Sequence, residues 1–143
     1  MSAETDAFPQ PECTWVHRVS YGETDAMGVV YYANYLHWFE QARSFFIREH
    51  GMSYKEIEAR EVALPVREAR CRYRSPAAYE DTIAVRTAIS EWRRASLTFV
   101  YHIHNTSRGN VLMATGTTQH ACTNPSGRPI PVPQWLKTIV LSP

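Results

Sequence analysis

The stretch that decides the fold runs from residue 21 to residue 43 and reads YGETDAMGVVYYANYLHWFEQAR. Its first third contains Gly22, Asp25 and Gly28, which predict a loop. From position 33 or 34 to His50 the chain has neither Gly nor Pro, and its apolar residues recur at spacings of three and four. This periodicity predicts a helix of about 25 Å that buries one face. The recurring residues are Tyr35, Phe39, Ala42 and Phe46.

The chain on both sides of this helix predicts strands. A short strand is expected at residues 17–21, and four longer ones at residues 66–74, 82–92, 96–105 and 111–123, separated by turn signals such as SRGN at 107–110. Ser53 and Glu56 match a capping box, which predicts a short helix over residues 54–60, and residues 134–137 predict one last helical turn. One strand, one long helix and four strands predict an α+β protein with an antiparallel sheet curled around the helix.

Length and composition limit the function classes. The 143 residues suit one domain, expected over residues 13–143, and residues 1–12 are acidic and contain two prolines, which predicts a flexible N-terminal arm. No apolar run reaches the length of a membrane span, and a cytoplasmic location is expected. Three cysteines without a short spacing favour reduced thiols. A net charge of +1 argues against nucleic acid as the main partner, so a phosphate site would have to be local.

Two motifs in and after the quoted stretch resemble the hotdog-fold thioesterases of the 4-hydroxybenzoyl-CoA thioesterase type. They are Asp25-x-x-Gly28-x-Val30-x-Tyr32-x-Asn34-Tyr35 and Trp38-x-Glu40-x-x-Arg43, supported by RSPA at 74–77 and EWRRAS at 91–96. The similarity covers about residues 16–136. It implies a hotdog fold, hydrolysis of an acyl-CoA or aroyl-CoA thioester to free acid and coenzyme A, and no metal or redox cofactor. It also implies a homodimer or homotetramer in which a second subunit completes the active site.

Asp25 is the first candidate catalytic residue. From its position alone an Asp in a loop caps a turn, whereas a reactive carboxylate either attacks the thioester carbonyl or deprotonates a water that attacks it. The resemblance implies the catalytic role, and nucleophile and general base both remain open. Gly28 and Val30 belong to the same motif and are expected to contact substrate.

The predicted helix start supplies the second candidate group. The first N–H groups of a helix have no internal partner and carry part of the positive end of the helix dipole, so they suit an oxygen that gains negative charge. The resemblance assigns this role to the backbone N–H of Tyr32, while its ring could equally fill the start of the core. Glu40 and Arg43 lie three residues apart, which suits a local ion pair. The resemblance instead implies Glu40 near the acyl pocket as a further catalytic candidate.

Arg93 and Arg94 are the candidates for binding phosphate. Adjacent residues of a regular strand point to opposite faces, so only one would face a given ligand unless a turn intervenes. Guanidinium groups suit phosphates, and the resemblance implies contacts to coenzyme A; the alternative is a solvated hairpin end. Some relatives have a third basic residue at the next position, where this chain has Ala95.

Other reaction classes lack their motifs. His102 and His104 share a strand face, a spacing compatible with a metal, but no third ligand is evident. The chain has no phosphate-binding Gly-rich loop and no Gly-x-Ser-x-Gly motif. Two alternatives to a thioesterase remain: a module that binds acyl-CoA or acyl carrier protein without turnover, and a hotdog dehydratase. The dehydratase is disfavoured because the chain has no Asp-x-Asn-Pro-x-His stretch.

Overall fold

The computed structural model describes residues 7–142 and contains a five-stranded antiparallel sheet packed on one long helix. The strands are β1 (Glu12–Arg18), β2 (Val66–Tyr73), β3 (Thr82–Trp92), β4 (Ser96–Asn105) and β5 (Val111–Ala121). The helices are α1 (Asn34–Glu49), α2 (Tyr54–Ala59) and α3 (Gln134–Leu141). The sheet order β1-β3-β4-β5-β2 leaves β1 and β2 at the edges. The α+β prediction is confirmed.

The long helix α1 buries the stripe that its periodicity predicts. Its buried residues are Tyr35, Trp38, Phe39, Ala42, Phe46 and Ile47. Phe39 stacks on Tyr101 of β4 with ring centroids 4.2 Å apart, and Phe46 meets Phe99 edge to face at 5.7 Å. Full burial of such a ring stabilises the fold by about 1.5–3 kcal/mol. The helix ends before Gly51, whose φ of 95° lies in the region that glycine favours.

A glycine of β5 sets how closely α1 approaches the sheet. Gly116 pairs with Cys71 on one side and Tyr101 on the other, so all three face the helix. A Cβ added at Gly116 would collide with the Phe39 ring and lie 2.5 Å from the Arg70 carbonyl oxygen. Only a residue without a side chain therefore allows this approach.

The first strand lies earlier in the chain than its sequence pattern indicates. The prediction of a strand at residues 17–21 is wrong, because β1 pairs with β3 over Glu12–Arg18. After Arg18 the chain leaves the sheet, and Tyr21–Glu23 form a single 3-10 turn. The other predicted elements are confirmed with small shifts: β2 and β5 end at Tyr73 and Ala121, and the last helical turn extends to Leu141. The capping box also forms, since the Glu56 N–H donates to Ser53 Oγ.

Part of the expected N-terminal arm packs on the sheet. Phe8 is buried, with its ring 5.0 Å from that of His102 and 4.4 Å from the guanidinium carbon of Arg86. Arg86 also donates two hydrogen bonds to Glu12, at 2.8 and 2.9 Å. The flexible arm predicted over residues 1–12 therefore has to be corrected from Phe8 onward, while residues 1–6 lie outside the described residues.

No helix within residues 7–142 is long and apolar enough to cross a membrane.

Replacing Gly116 with Ala should destabilise the protein by about 1–3 kcal/mol, because the added methyl group forces Phe39 or the β2 backbone to move. Gly22→Ala is the matched control, since a Cβ there has no neighbour within 4 Å, and its effect should stay within about 0.5 kcal/mol. Urea unfolding of both variants measures the difference. Equal stability of the two variants would contradict the close helix-sheet contact.

Candidate active site

Asp25 sits in a tight turn that its own side chain stabilises. Its N–H donates to the Val29 carbonyl at 2.9 Å, and the Gly28 N–H donates to the Asp25 carbonyl at 3.0 Å. The Met27 N–H donates to Asp25 Oδ1 at 2.9 Å. Gly28 has a φ of 83°, which explains the glycine there. The expectation that Asp25 caps a turn is thus met by one carboxylate oxygen, while Oδ2 accepts no hydrogen bond from residues 7–142.

A second carboxylate holds this loop in place. Glu23 accepts hydrogen bonds from His17 Nε2 at 2.9 Å, from Trp38 Nε1 at 2.9 Å and from the Ser20 N–H at 2.8 Å. These bonds connect β1, the loop and α1. Glu23 was not among the candidates that the sequence predicted. The Ser20-x-x-Glu23 spacing matches a capping box and could have indicated the bond to Ser20, whereas His17 and Trp38 lie 6 and 15 residues away and give no local signal.

Glu23 stays ionised at neutral pH in spite of its burial. Burial raises the pKa of this carboxyl group, but hydrogen bonds from Ser20, His17 and Trp38 outweigh it, so the pKa lies below its ordinary value. An ionised carboxylate only accepts hydrogen bonds, so Nε2 of His17 carries the proton in this pair.

The start of α1 offers free backbone donors. The Tyr31 N–H and the Asn34 side chain both donate to the Glu23 carbonyl, at 2.8 and 2.9 Å, and the Asn34 N–H donates to the Tyr31 carbonyl at 2.9 Å. In the described part of the chain, the N–H groups of Tyr32 and Ala33 donate to no acceptor. The Tyr32 N–H is therefore free to donate to a ligand oxygen, at the position where the sequence analysis predicted such a donor.

Asp25 and Tyr32 line one cavity of about 330 Å³ together with Tyr35, Tyr73 and Arg74. Its other lining residues are Met27, Val29, Val30, Ser75 and Pro76. Tyr32 is 61% exposed, so its ring does not fill the core, and it packs edge to face with the Tyr73 ring. Burial raises the pKa of Tyr35 to about 12, which keeps this phenol neutral. Three tyrosines and several apolar side chains thus line the cavity together with one carboxylate and one guanidinium.

The remaining motif residues divide between two roles. Val30 lines this cavity, whereas Gly28 is absent from its walls and serves the turn. Arg74, which the sequence analysis named only within the supporting motif at 74–77, also borders the cavity, and no ion pair to it forms within residues 7–142.

Glu40 lies apart from Asp25 in a single chain. Its side chain is 57% exposed, its Oε1 is 3.5 Å from His37 Nδ1, and it borders a second cavity of about 370 Å³. The local ion pair expected between Glu40 and Arg43 does not form, because Arg43 donates to the Tyr101 hydroxyl at 3.4 Å instead.

Arg93 and Arg94 lie at the far end of the sheet from Asp25. They form the turn between β3 and β4, whereas the Asp25 cavity borders Arg74, whose N–H donates to Met113 near the start of β5. Ten-residue strands separate these ends by about 30 Å. Both arginines are exposed, and Arg93 Nε lies 3.0 Å from Glu91 Oε2.

The two histidines of β4, His102 and His104, have no third metal ligand beside them among residues 7–142. Burial, together with the charge of Arg86, lowers the pKa of both His102 and His104. Across residues 7–142 no group of three or more His, Cys, Asp or Glu side chains could hold a metal ion.

Comparison with known proteins adds an independent result. A family model described as the thioesterase-like superfamily matches residues 19–140. The acyl-CoA thioester hydrolase YbgC of Escherichia coli O157:H7 is 36% identical over 111 residues, 78% of this chain and 81% of YbgC. The 4-hydroxybenzoyl-CoA thioesterase of Pseudomonas sp. (strain CBS-3) is 28% identical over 99 residues, 67% of this chain and 70% of that enzyme.

A solved structure agrees over nearly the whole fold. Slr0204, a 1,4-dihydroxy-2-naphthoyl-CoA thioesterase from Synechocystis, is similar with a TM-score of 0.84 at 25% identity, covering 92% of this chain and 97% of Slr0204. The hotdog fold and the resemblance carried by the Asp25 motif are confirmed.

Glu23→Gln should lower the free energy of unfolding by about 1–3 kcal/mol at pH 7, because the new amide places a donor against donors. The folded-state pKa of Glu23 is lowered, so its stabilisation is present above the unfolded pKa of about 4.3 and disappears as pH falls through the folded pKa. The difference from wild type should therefore shrink towards pH 3. Urea unfolding at both pH values measures it, with exposed Glu58→Gln as control. A loss of the same size at both pH values would contradict an ionised Glu23.

Proposed function

This chain belongs to the thioesterase-like superfamily and hydrolyses acyl-CoA thioesters, and from that premise we propose that Asp25 and the Tyr32 N–H perform the reaction. One observation carries the proposal: the free carboxylate oxygen of Asp25 and the free N–H of Tyr32 belong to residues that line the same cavity. A carboxylate and a backbone donor are the two groups that acyl transfer requires.

The proposed chemistry follows from these two groups. The Tyr32 N–H donates to the thioester oxygen, which becomes negatively charged as the carbonyl is attacked. In the nucleophilic route, Asp25 forms a mixed anhydride, the coenzyme A thiolate leaves, and water then hydrolyses the anhydride. In the general-base route, Asp25 takes a proton from the attacking water, and the product acid and thiol form in one addition and elimination. Both routes remain in the proposal.

The cavity walls support an acyl or aroyl substrate. Three tyrosines, together with Met27 and Val29, provide an apolar surface for a ring or an alkyl chain. Relatives named for 4-hydroxybenzoyl-CoA and 1,4-dihydroxy-2-naphthoyl-CoA favour the aromatic substrates.

We further propose that the working enzyme is a homodimer or homotetramer whose site is shared between two copies. Arg93 and Arg94 are exposed and lie far from Asp25 in one chain, so phosphate contacts at this site would come from a second copy. The cytoplasmic location also remains a proposal, supported by three free cysteines, which suit a reducing compartment.

Asp25→Asn should lower kcat about 10³-fold or more, while the Asn oxygen can still accept the Met27 N–H and keep the turn. Tyr32→Phe should change kcat less than about threefold, since the main chain provides the donor. Release of free thiol from short-chain, long-chain and aromatic CoA esters measures both. Hydrolysis by Asp25→Asn at the wild-type rate would exclude the mechanism. A wild-type protein that binds these esters without releasing thiol would be the non-catalytic binding module.

Sharing of the site predicts complementation between two inactive variants. Asp25→Asn and the double variant Arg93→Ala/Arg94→Ala, carrying different affinity tags, can be produced together and the mixed dimers isolated. Each mixed dimer would contain one site with an intact Asp25 and intact arginines, so it should recover about half of the wild-type kcat/KM. Activity no higher than that of the two separate variants would place the arginines and Asp25 outside a common site.

A further inference from the structure

Glu23 is the residue that connects both proposed catalytic groups to the fold. It precedes Asp25 by two residues, and its main-chain carbonyl accepts the Tyr31 N–H at 2.8 Å, one residue before Tyr32. The same carbonyl accepts a hydrogen bond from the side chain of Asn34, the first residue of α1, at 2.9 Å. A displacement of Glu23 would therefore move the Asp25 turn on one side and the helix start on the other.

The residue after Glu23 strengthens this connection. Thr24 pairs with Val30 in an isolated antiparallel bridge, and the Asp25 N–H donates to the Val29 carbonyl at 2.9 Å. The two chain segments that flank the Asp25 turn therefore run side by side. Because Glu23 begins the first of these segments, its position determines where the turn lies.

The carboxylate of Glu23 anchors this junction to two elements of the core. It accepts hydrogen bonds from His17 of β1 and from Trp38 of α1, both at 2.9 Å, and from the Ser20 N–H at 2.8 Å. Trp38 is fully buried, and the His17 ring stacks on Trp15 with ring centroids 5.1 Å apart. Packing thus fixes each of the two side-chain donors, and the donors in turn fix the carboxylate.

The Glu23 side chain lies behind the site and does not form its wall. It does not line the Asp25 cavity, and it is only 16% exposed. An effect of this carboxylate on the reaction would therefore have to pass through the groups that it holds.

The chemistry of acyl transfer leaves little tolerance in the position of those groups. A donor stabilises the oxyanion at about 2.7–3.1 Å, and the reacting atoms have to lie about 3–3.5 Å apart. A misplacement of about 1 Å can cost about 10²-fold in rate. A loss that is confined to the transition state lowers kcat and leaves KM nearly unchanged.

We propose that Glu23 is a positioning residue of the thioesterase reaction. Its carboxylate, anchored to β1 and α1, sets the distance between Asp25 Oδ2 and the Tyr32 N–H. Loss of the anchor leaves the substrate bound but misaligns the two groups that act on its carbonyl. This proposal rests on the proposed thioesterase function, because Asp25 and Tyr32 are the groups that Glu23 positions.

The kinetics of Glu23→Gln provide the first test. The amide keeps the size of the side chain, but its NH₂ group cannot accept from His17 or Trp38. With the CoA ester that wild type hydrolyses fastest, kcat should fall about tenfold or more and KM should stay within about twofold. Glu58→Gln, at an exposed glutamate of α2, is the matched control and should keep the wild-type kcat.

Urea unfolding curves establish that both variants are fully folded at the assay temperature. Equal kcat values for Glu23→Gln and Glu58→Gln would overturn the proposal. A rise in KM that accounts for the whole loss in kcat/KM would overturn it as well, because Glu23 would then act on substrate binding.

Two variants of the anchor guard against a folding defect. His17→Leu removes one donor and leaves those of Ser20 and Trp38, so kcat should fall about three- to tenfold. His17→Gln places an N–H donor near the original Nε2 and should restore kcat to within about twofold of wild type. When both variants are fully folded, a purely structural role of the anchor would give them equal kcat values, and that result would contradict the proposal.

Binding measurements separate this proposal from the proposed function. Two CoA analogues that cannot be hydrolysed serve as probes: a ketone with a methylene group in place of the thioester sulfur, and a thioether without the carbonyl oxygen. In calorimetric titration, wild type should bind the ketone about threefold or more tightly, because only its oxygen accepts the Tyr32 N–H. Glu23→Gln should bring this ratio near one and change the affinity for the thioether less than about twofold.

The outcomes distinguish the two proposals. If wild-type protein releases no thiol but shows a preference for the ketone that Glu23→Gln removes, the thioesterase mechanism fails and positioning by Glu23 stands. If thiol is released, and neither kcat nor the preference for the ketone depends on Glu23, the positioning role fails alone.

Discussion

The contact between Phe39 and the sheet at Gly116 is the constraint on which the rest of the structure depends. The ring lies against β5 at a position where any Cβ would collide with it, and it stacks on Tyr101 in the next strand. This contact fixes α1 against the inner strands of the sheet, while Ala69 and Tyr73 of the edge strand β2 stay exposed.

Polar interactions hold the Asp25 loop in place, whereas packing of apolar side chains holds the core. Glu23 accepts hydrogen bonds from β1, from its own turn and from Trp38 of α1. Its carbonyl also fixes the chain just before the helix start. Asp25, two residues later, uses one oxygen for its turn and leaves the other free. The structural and the chemical interpretations of Asp25 are therefore compatible, since a carboxylate has two oxygens and the turn requires one.

Local sequence patterns predicted most helices and strands correctly. The predictions that were wrong concern residues whose structure depends on contacts with distant parts of the chain. The stripe of α1 and the turns around β3 and β4 follow from spacing within a few residues, so their limits could be read directly. β1 lies earlier in the chain than predicted, because its pairing with β3, some seventy residues later, decides which residues form the strand. Phe8 packs on His102 for the same reason: no pattern within the first twelve residues reveals a partner in β4.

The sequence by itself determined the fold class, the long helix and the motif that places Asp25 just ahead of a helix start, because these depend on periodicity and turn chemistry over short spans. Only the tertiary structure decided which charged residues share a site. It brought Arg74 to Asp25 and kept Arg93 and Arg94 at the opposite end of the sheet. Among residues 7–142 it gave Arg43 the Tyr101 hydroxyl as a partner and no carboxylate. Side-chain neighbours across a sheet depend on register and on the position of the helix, and neither is encoded in local spacing.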